Sequence, residues 1–369
     1  MRWGAVAALV SATLGAATSA QAVTTNFSND VETAIDLGIA WLDSPAAGRD
    51  YLGGVNNNCN VGWDGNGPSS GLGAGLAALA VLEKRRDASQ NALSQGWAFA
   101  NAADRVRIEN AIAFFINRTS PQQGNFNYRD GADAMALSLY LRTSGPDALN
   151  QTAPNTGAAL NALGIVTNRL LANQRPTGYW CYNGIGANEY ACEDSSVTQL
   201  AVGGLSAARA AFTNPAFSNP ALAASIQAAL DMTANRYALS GRPGQTVVEA
   251  NEAGHGYQAQ LQGDSNVGDL ATLQQTASGT WAMMVGNRTV NDPEPQSYMR
   301  FLRNHYRYSD LGGDGAGWNS YRYYLWSATK SFRIIELAGN AGAGVITPAD
   351  MGALPAGSAP AYAGRESNL

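Results

Sequence analysis

The chain has 369 residues and a formal charge of −5, and lysine occurs only at positions 84 and 330, so arginine carries nearly all its positive charge. That acidic balance lacks the basic face a nucleic-acid partner needs. Beyond the first residues, no run of about 18 unbroken apolar residues offers a membrane span.

Met1-Arg-Trp-Gly, a short Ala/Val/Leu core and the small residues of Ala20-Gln21-Ala22 read as a secretory leader over 1–22. The expected location is secreted or periplasmic, with no Cys at the cleavage site for a lipid anchor. Roughly 350 residues then remain, enough to bury a substantial core.

Helical periodicity follows. Val31, Ala34, Ile35, Gly38, Trp41 and Leu42 recur at helical spacing, with Asn29 and Glu32 placed for a capping box. Ile108, Ile112, Phe115 and Ile116 form a second one-sided stripe, and 155–173, 221–237 and 294–306 are similar. Helices with one apolar face belong on an outer surface. Between them, 72–82, 132–141, 197–212 and 272–285 are rich in Ala, Gly, Leu and Val nearly all round, the pattern of interior helices. Gly73, Gly75, Gly203 and Gly204 would let such helices approach closely, at some cost in propensity.

The alternation predicts five hairpins: 29–42 with 70–86, 104–118 with 131–143, 155–173 with 194–213, 219–238 with 268–286, and 294–307 with 319–338. No period-two strand pattern accompanies them. The class expected is all-α, an inner ring of helices wrapped by an outer one, over a single domain 23–340. Long Gly-, Asn- and Pro-rich connectors at 44–69, 181–193, 239–266 and 308–317 are the natural place for function. The stretch 341–369 reads as a low-complexity tail.

Of the three cysteines, Cys181 and Cys192 are spaced to pair across a short loop in an oxidising compartment, leaving Cys59 as a thiol. Connectivity cannot be read from spacing alone, and three free thiols is the alternative.

One connector is a closer match to something known. Gln174-x-x-x-Gly178-x-Trp180 resembles the QW repeat of the terpenoid cyclases. Asp194-Ser-Ser-Val-Thr-Gln199 resembles the inner helix of squalene cyclase and protein prenyltransferase β-subunit repeats, and Tyr323-Tyr324-Leu-Trp326 resembles another. The likeness runs over residues 30–340 in five degenerate copies and implies an α/α toroid. Gln275-x-x-x-Gly279-x-Trp281 has the same spacing but falls inside an expected inner helix, so it is coincidental or displaced. The family's chemistry is not carried over. The Asp-x-Asp-Asp acid, an Asp-Asp-x-x-Asp motif, a zinc ligand set and the Gly-Cys-Gly-Glu-Gln thioester are all absent, so no cofactor and no metal are expected.

In such a toroid, the starts of the inner helices surround one mouth. Trp63, Asp64, Phe126, Tyr128, Asp130, Trp180, Tyr182, Glu193, Asp194, Tyr257, Asp314, Trp318 and Tyr321 would then share a funnel. Aromatic rings beside carboxylates suit stacking on sugars and acid/base work. Asp130 or Asp133 with Asp194 is the catalytic pair to weigh, and helix capping is the plainer role for Asp130 and Asp194. His255, between Gly254 and Gly256, is the proton carrier to consider on a connector, whereas His305 reads as surface. Gly67-Pro-Ser69-Ser-Gly71 matches a nucleophile elbow but lacks the strand before it, so Ser69 or Ser70 is read as a cap. The Asn/Gly/Asp loops at 56–60, 64–67 and 312–315 suit turns as well as calcium.

The preferred function is binding of a small-molecule, glycan or lipid ligand in an aromatic and acidic cavity. A secreted carbohydrate-active enzyme and a divergent terpenoid- or lipid-handling protein are the alternatives.

Overall fold

A computed structural model describes residues 26–43, 73–87, 93–117, 127–147, 158–182, 193–244, 246–257, 270–305 and 321–338, with the side chains of 26–28, 321–324 and 336 excepted. The leader 1–22, Cys59, Trp63, Asp64, the Ser69–Ser70 elbow, Phe126, Cys192, Asp314, Trp318, the tail 341–369 and the side chain of Tyr321 lie outside these residues.

Ten α-helices occur among the described residues: α1 Asn26–Leu42, α2 Ala74–Glu83, α3 Ala102–Asn117, α4 Asn127–Arg142, α5 Ala159–Asn173, α6 Ser195–Phe212, α7 Pro220–Leu239, α8 Leu273–Val285, α9 Pro293–His305 and α10 Tyr321–Ala338. Their positions along the chain match the helical segments expected, and no strand accompanies them there, only isolated bridges such as His255 with Thr272. The protein is all-α in this part. The chain divides into two compact units, Met1–Ala172 with Gly203–Ala224, and Asn173–Val202 with Ser225–Leu369.

In the first unit α2 packs on α4, with α1 and α3 against α2. Helix α4 is buried along 13 of its 16 residues, as expected of an interior helix. Its first turn starts four residues before the expected 131 and so takes in Tyr128 and Asp130. Gly204 of α6 belongs to this unit, and a Cβ there would stand 2.6 Å from the carbonyl oxygen of Gly131. Backbone meets backbone at that point, so only glycine fits.

In the second unit α8 packs on α9 and α10. The amphipathic α9 buries Tyr298, Met299, Phe301, Leu302 and His305, a spacing of three and four that gives it one inward face. His305 is therefore a buried residue of that face, not the surface residue expected. It bonds Glu252 at 3.0 Å. Leu273, Ala277, Met284, Phe301, Phe332 and Ile335 form the core here, and each large apolar side chain contributes about 1.5–3 kcal/mol by leaving water. Helix α8 begins at Leu273 because Thr272, in extended backbone, caps it by accepting from the amide of Gln275. It buries 12 of its 13 residues, yet Gln274, Gln275, Thr276, Ser278 and Thr280 are among them. The expected all-round apolar character is thus corrected: this helix is enclosed on every side and carries polar groups into the interior.

Candidate functional site

The connector from Gln174 to Tyr182 belongs to the second unit. Gly178 has φ +90°, a left-handed conformation, and turns the chain after α5. The amide of Gln174 donates to the carbonyl of Ala229 at 2.8 Å and to Thr233 Oγ1 at 3.0 Å. It therefore ties the connector to the middle of α7. Trp180 is fully buried, and its backbone N–H donates to Thr198 Oγ1 at 3.0 Å, which docks the connector on α6. Cys181 is buried beside Arg175, whose Nε lies 3.0 Å from its Sγ. Its expected partner Cys192 is outside the described residues.

Asp194 sits at the head of α6. Its Oδ1 accepts from Ser196 N at 2.7 Å, Val197 N at 3.1 Å and Ser196 Oγ at 2.5 Å, a complete N-cap. Glu193 next to it pairs with Arg236 at 3.1 Å. Ser195 draws in the connector after α7: its N–H donates to the carbonyl of Tyr257, and its hydroxyl lies 2.7 Å from that oxygen and 2.8 Å from Gln275 Oε1 on α8. Tyr257 is brought to Tyr182, with the two phenol oxygens 2.7 Å apart. Both rings are 39% exposed. Partial burial raises both phenols above their ordinary pKa, and the nearby Asp194 charge adds to this. Each hydroxyl is thus kept protonated and able to donate.

His255 is the contrast. It is fully buried among Tyr179, Tyr237 and Tyr298. Nδ1 lies 2.6 Å from the Gly256 carbonyl, which only accepts, so the proton is on Nδ1 and Nε2 accepts the Tyr179 hydroxyl at 2.7 Å. Burial pushes its pKa down to about 4, so the ring is neutral near pH 7.

Of the expected site residues, Trp180, Tyr182, Glu193, Asp194, His255 and Tyr257 come together in the second unit. Tyr128, Asp130 and Asp133 belong to the first. Asp130 is fully buried and takes a two-pronged grip from Arg169, at 2.7 and 2.6 Å, with Arg129 at 3.4 Å. Asp133 is also buried. No group of three or more His, Cys, Asp or Glu side chains is placed to hold a metal ion among the described residues.

A residue outside the expected site set, Gln199, lies one turn further along α6. Gln199 Oε1 accepts from Ser278 Oγ of α8 at 2.6 Å and from Ser327 Oγ of α10 at 2.7 Å. Among the described residues, Gln199 Nε2, both side-chain amide atoms of Gln274 and Trp281 Nε1 are buried without a hydrogen-bond partner. Each such atom costs about 1–3 kcal/mol. The available signal was Gln274, Ser278 and Trp281 at i, i+4 and i+7, a polar line on one face of α8.

No family model matches the chain, and neither a curated protein nor a solved structure matches it.

Proposed function

We propose that this chain is an exported α/α-hairpin protein of the toroid type, similar in fold to the terpenoid cyclases and prenyltransferase β-subunits, which binds a ligand where Tyr182, Tyr257 and Asp194 meet. The observation that carries this reading is the pair of half-exposed tyrosines joined hydroxyl to hydroxyl beside a buried carboxylate. Their rings offer stacking faces and their phenols offer donors. Binding is favoured over hydrolysis because glycoside cleavage needs two available carboxylates. Here Asp194 Oδ1 already accepts three donors and Glu193 is held by Arg236.

The test is titration of the purified protein with neutral oligosaccharides and with lipids. Tyr182→Ala and Tyr257→Ala should each weaken binding by about tenfold or more. Turnover of a polysaccharide that disappears in Asp194→Asn would replace binding with the carbohydrate-active reading, since Asn keeps the cap and removes only the charge.

A further inference from the structure

Among the described residues of the second unit, four of the eight buried side-chain atoms without a hydrogen-bond partner belong to Gln199, Gln274 and Trp281, the other four being on Thr177, Arg236, Arg288 and Glu294. Gln274, Ser278 and Trp281 share one face of α8, and Ser278 and Ser327 both meet the same end of the Gln199 amide. Whichever way that amide is turned, one of its two polar atoms keeps no partner. Among the described residues, Gln274 has a partner for neither of its own, and the Trp281 indole N–H has none. Natural interiors pair nearly all such groups, so several in one place point to a partner from outside the chain. The group lies a helical turn beyond Ser195, which itself contacts Tyr257 and Gln275.

We infer that Gln199, Gln274 and Trp281 form the inner end of the ligand site and select an uncharged, hydroxyl-rich ligand, a neutral sugar or polyol. This rests on the Tyr182–Tyr257 cluster being the entrance. The unpaired atoms comprise amide and indole donors and an amide acceptor, and a hydroxyl group answers both kinds. A charged ligand would meet no counter-ion among Gln199, Gln274, Ser278, Trp281 and Ser327, and would lose its hydration uncompensated. An alkyl or isoprenoid chain would leave the same atoms unpaired. The edge-on contact of Trp281 with Trp326, with ring centres 6.3 Å apart, fixes the direction of the indole N–H.

The experiment uses the full chain, with maltotriose, cellotriose and galactose as neutral probes, glucuronate as a charged one and farnesol as an apolar one, followed by calorimetry and thermal unfolding. At least one neutral saccharide should bind, with glucuronate weaker by about tenfold or more. Gln274→Met should abolish saccharide binding and yet raise the ligand-free unfolding midpoint by about 2 °C or more, because it removes an unpaired amide at nearly constant shape. Trp281→Phe should also lose affinity. Binding of farnesol alone, binding of no probe, unchanged affinity in Gln274→Met, or a lowered ligand-free midpoint in that variant would each overturn the inference. Loss of binding in Gln274→Met with full binding in Tyr182→Ala and Tyr257→Ala keeps the inference and removes the entrance. The reverse pattern keeps the entrance and removes the inference.

Discussion

Gly178 presses its α-carbon against the main chain of α7: a Cβ at this position would stand 2.9 Å from the carbonyl oxygen of Met232. Backbone oxygen cannot give way as a flexible side chain can, and φ of +90° is itself unfavourable for an L residue. Gly178→Ala should therefore destabilise the second unit by about 2 kcal/mol or more. Urea denaturation measures this; an unchanged midpoint would mean that the connector is free to move off α7.

The buried Asp130–Arg169 pair makes a second prediction. Arg169→Met leaves a fully buried carboxylate with only the longer Arg129 contact, and should cost about 3 kcal/mol. Asp130→Asn combined with Arg169→Met should recover part of that loss, since no lone charge is left behind. A double variant less stable than the sum of the two single ones would contradict a pairing role.

Acid should weaken the fold through His255. Its pKa is near 6.5 when unfolded and about 4 in the native protein, so the unfolded chain binds more protons between these values. Stability from this group is complete above pH 6.5 and declines as pH falls toward about 4. Between pH 7 and pH 5 the expected loss is about 2 kcal/mol, read from denaturation midpoints at the two pH values. A stably folded variant with Phe at 255 should show a correspondingly flatter pH profile.

Asp194 separates two contributions at the head of α6. Asp194→Ala should cost about 1 kcal/mol by deleting the cap, while Asp194→Asn should stay close to the parent. Equal losses in the two variants would show that the negative charge, and not the acceptor oxygen, holds the helix start.

The helices could be read from the chain because the spacing of Ile108, Ile112, Phe115 and Ile116, or of Tyr298, Met299, Phe301 and Leu302, declares a face without any partner being known. The roles of the acidic residues could not. Asp130 and Asp194 look alike as carboxylates near helix starts, yet one caps and the other is gripped by Arg169, 39 residues away. That choice depends on a tertiary neighbour, which local pattern does not contain. The same holds for α8, where Gln274, Ser278 and Trp281 line up on one face but the neighbours that Ser278 meets, Gln199 and Ser327, come from distant stretches of the chain. His255 stands on a Gly-flanked connector that reads as solvated, and the three tyrosines that enclose it come from separate stretches of sequence.

Because the Nδ1 proton of His255 is committed to the carbonyl of its own neighbour, the imidazole is wired to the peptide that leads to Tyr257. Any rotation of that peptide must release the proton or turn the ring. The ring nitrogens therefore act as a built-in spectroscopic gauge: nitrogen-15 chemical shifts of one side chain report the conformation of the segment bearing Tyr257.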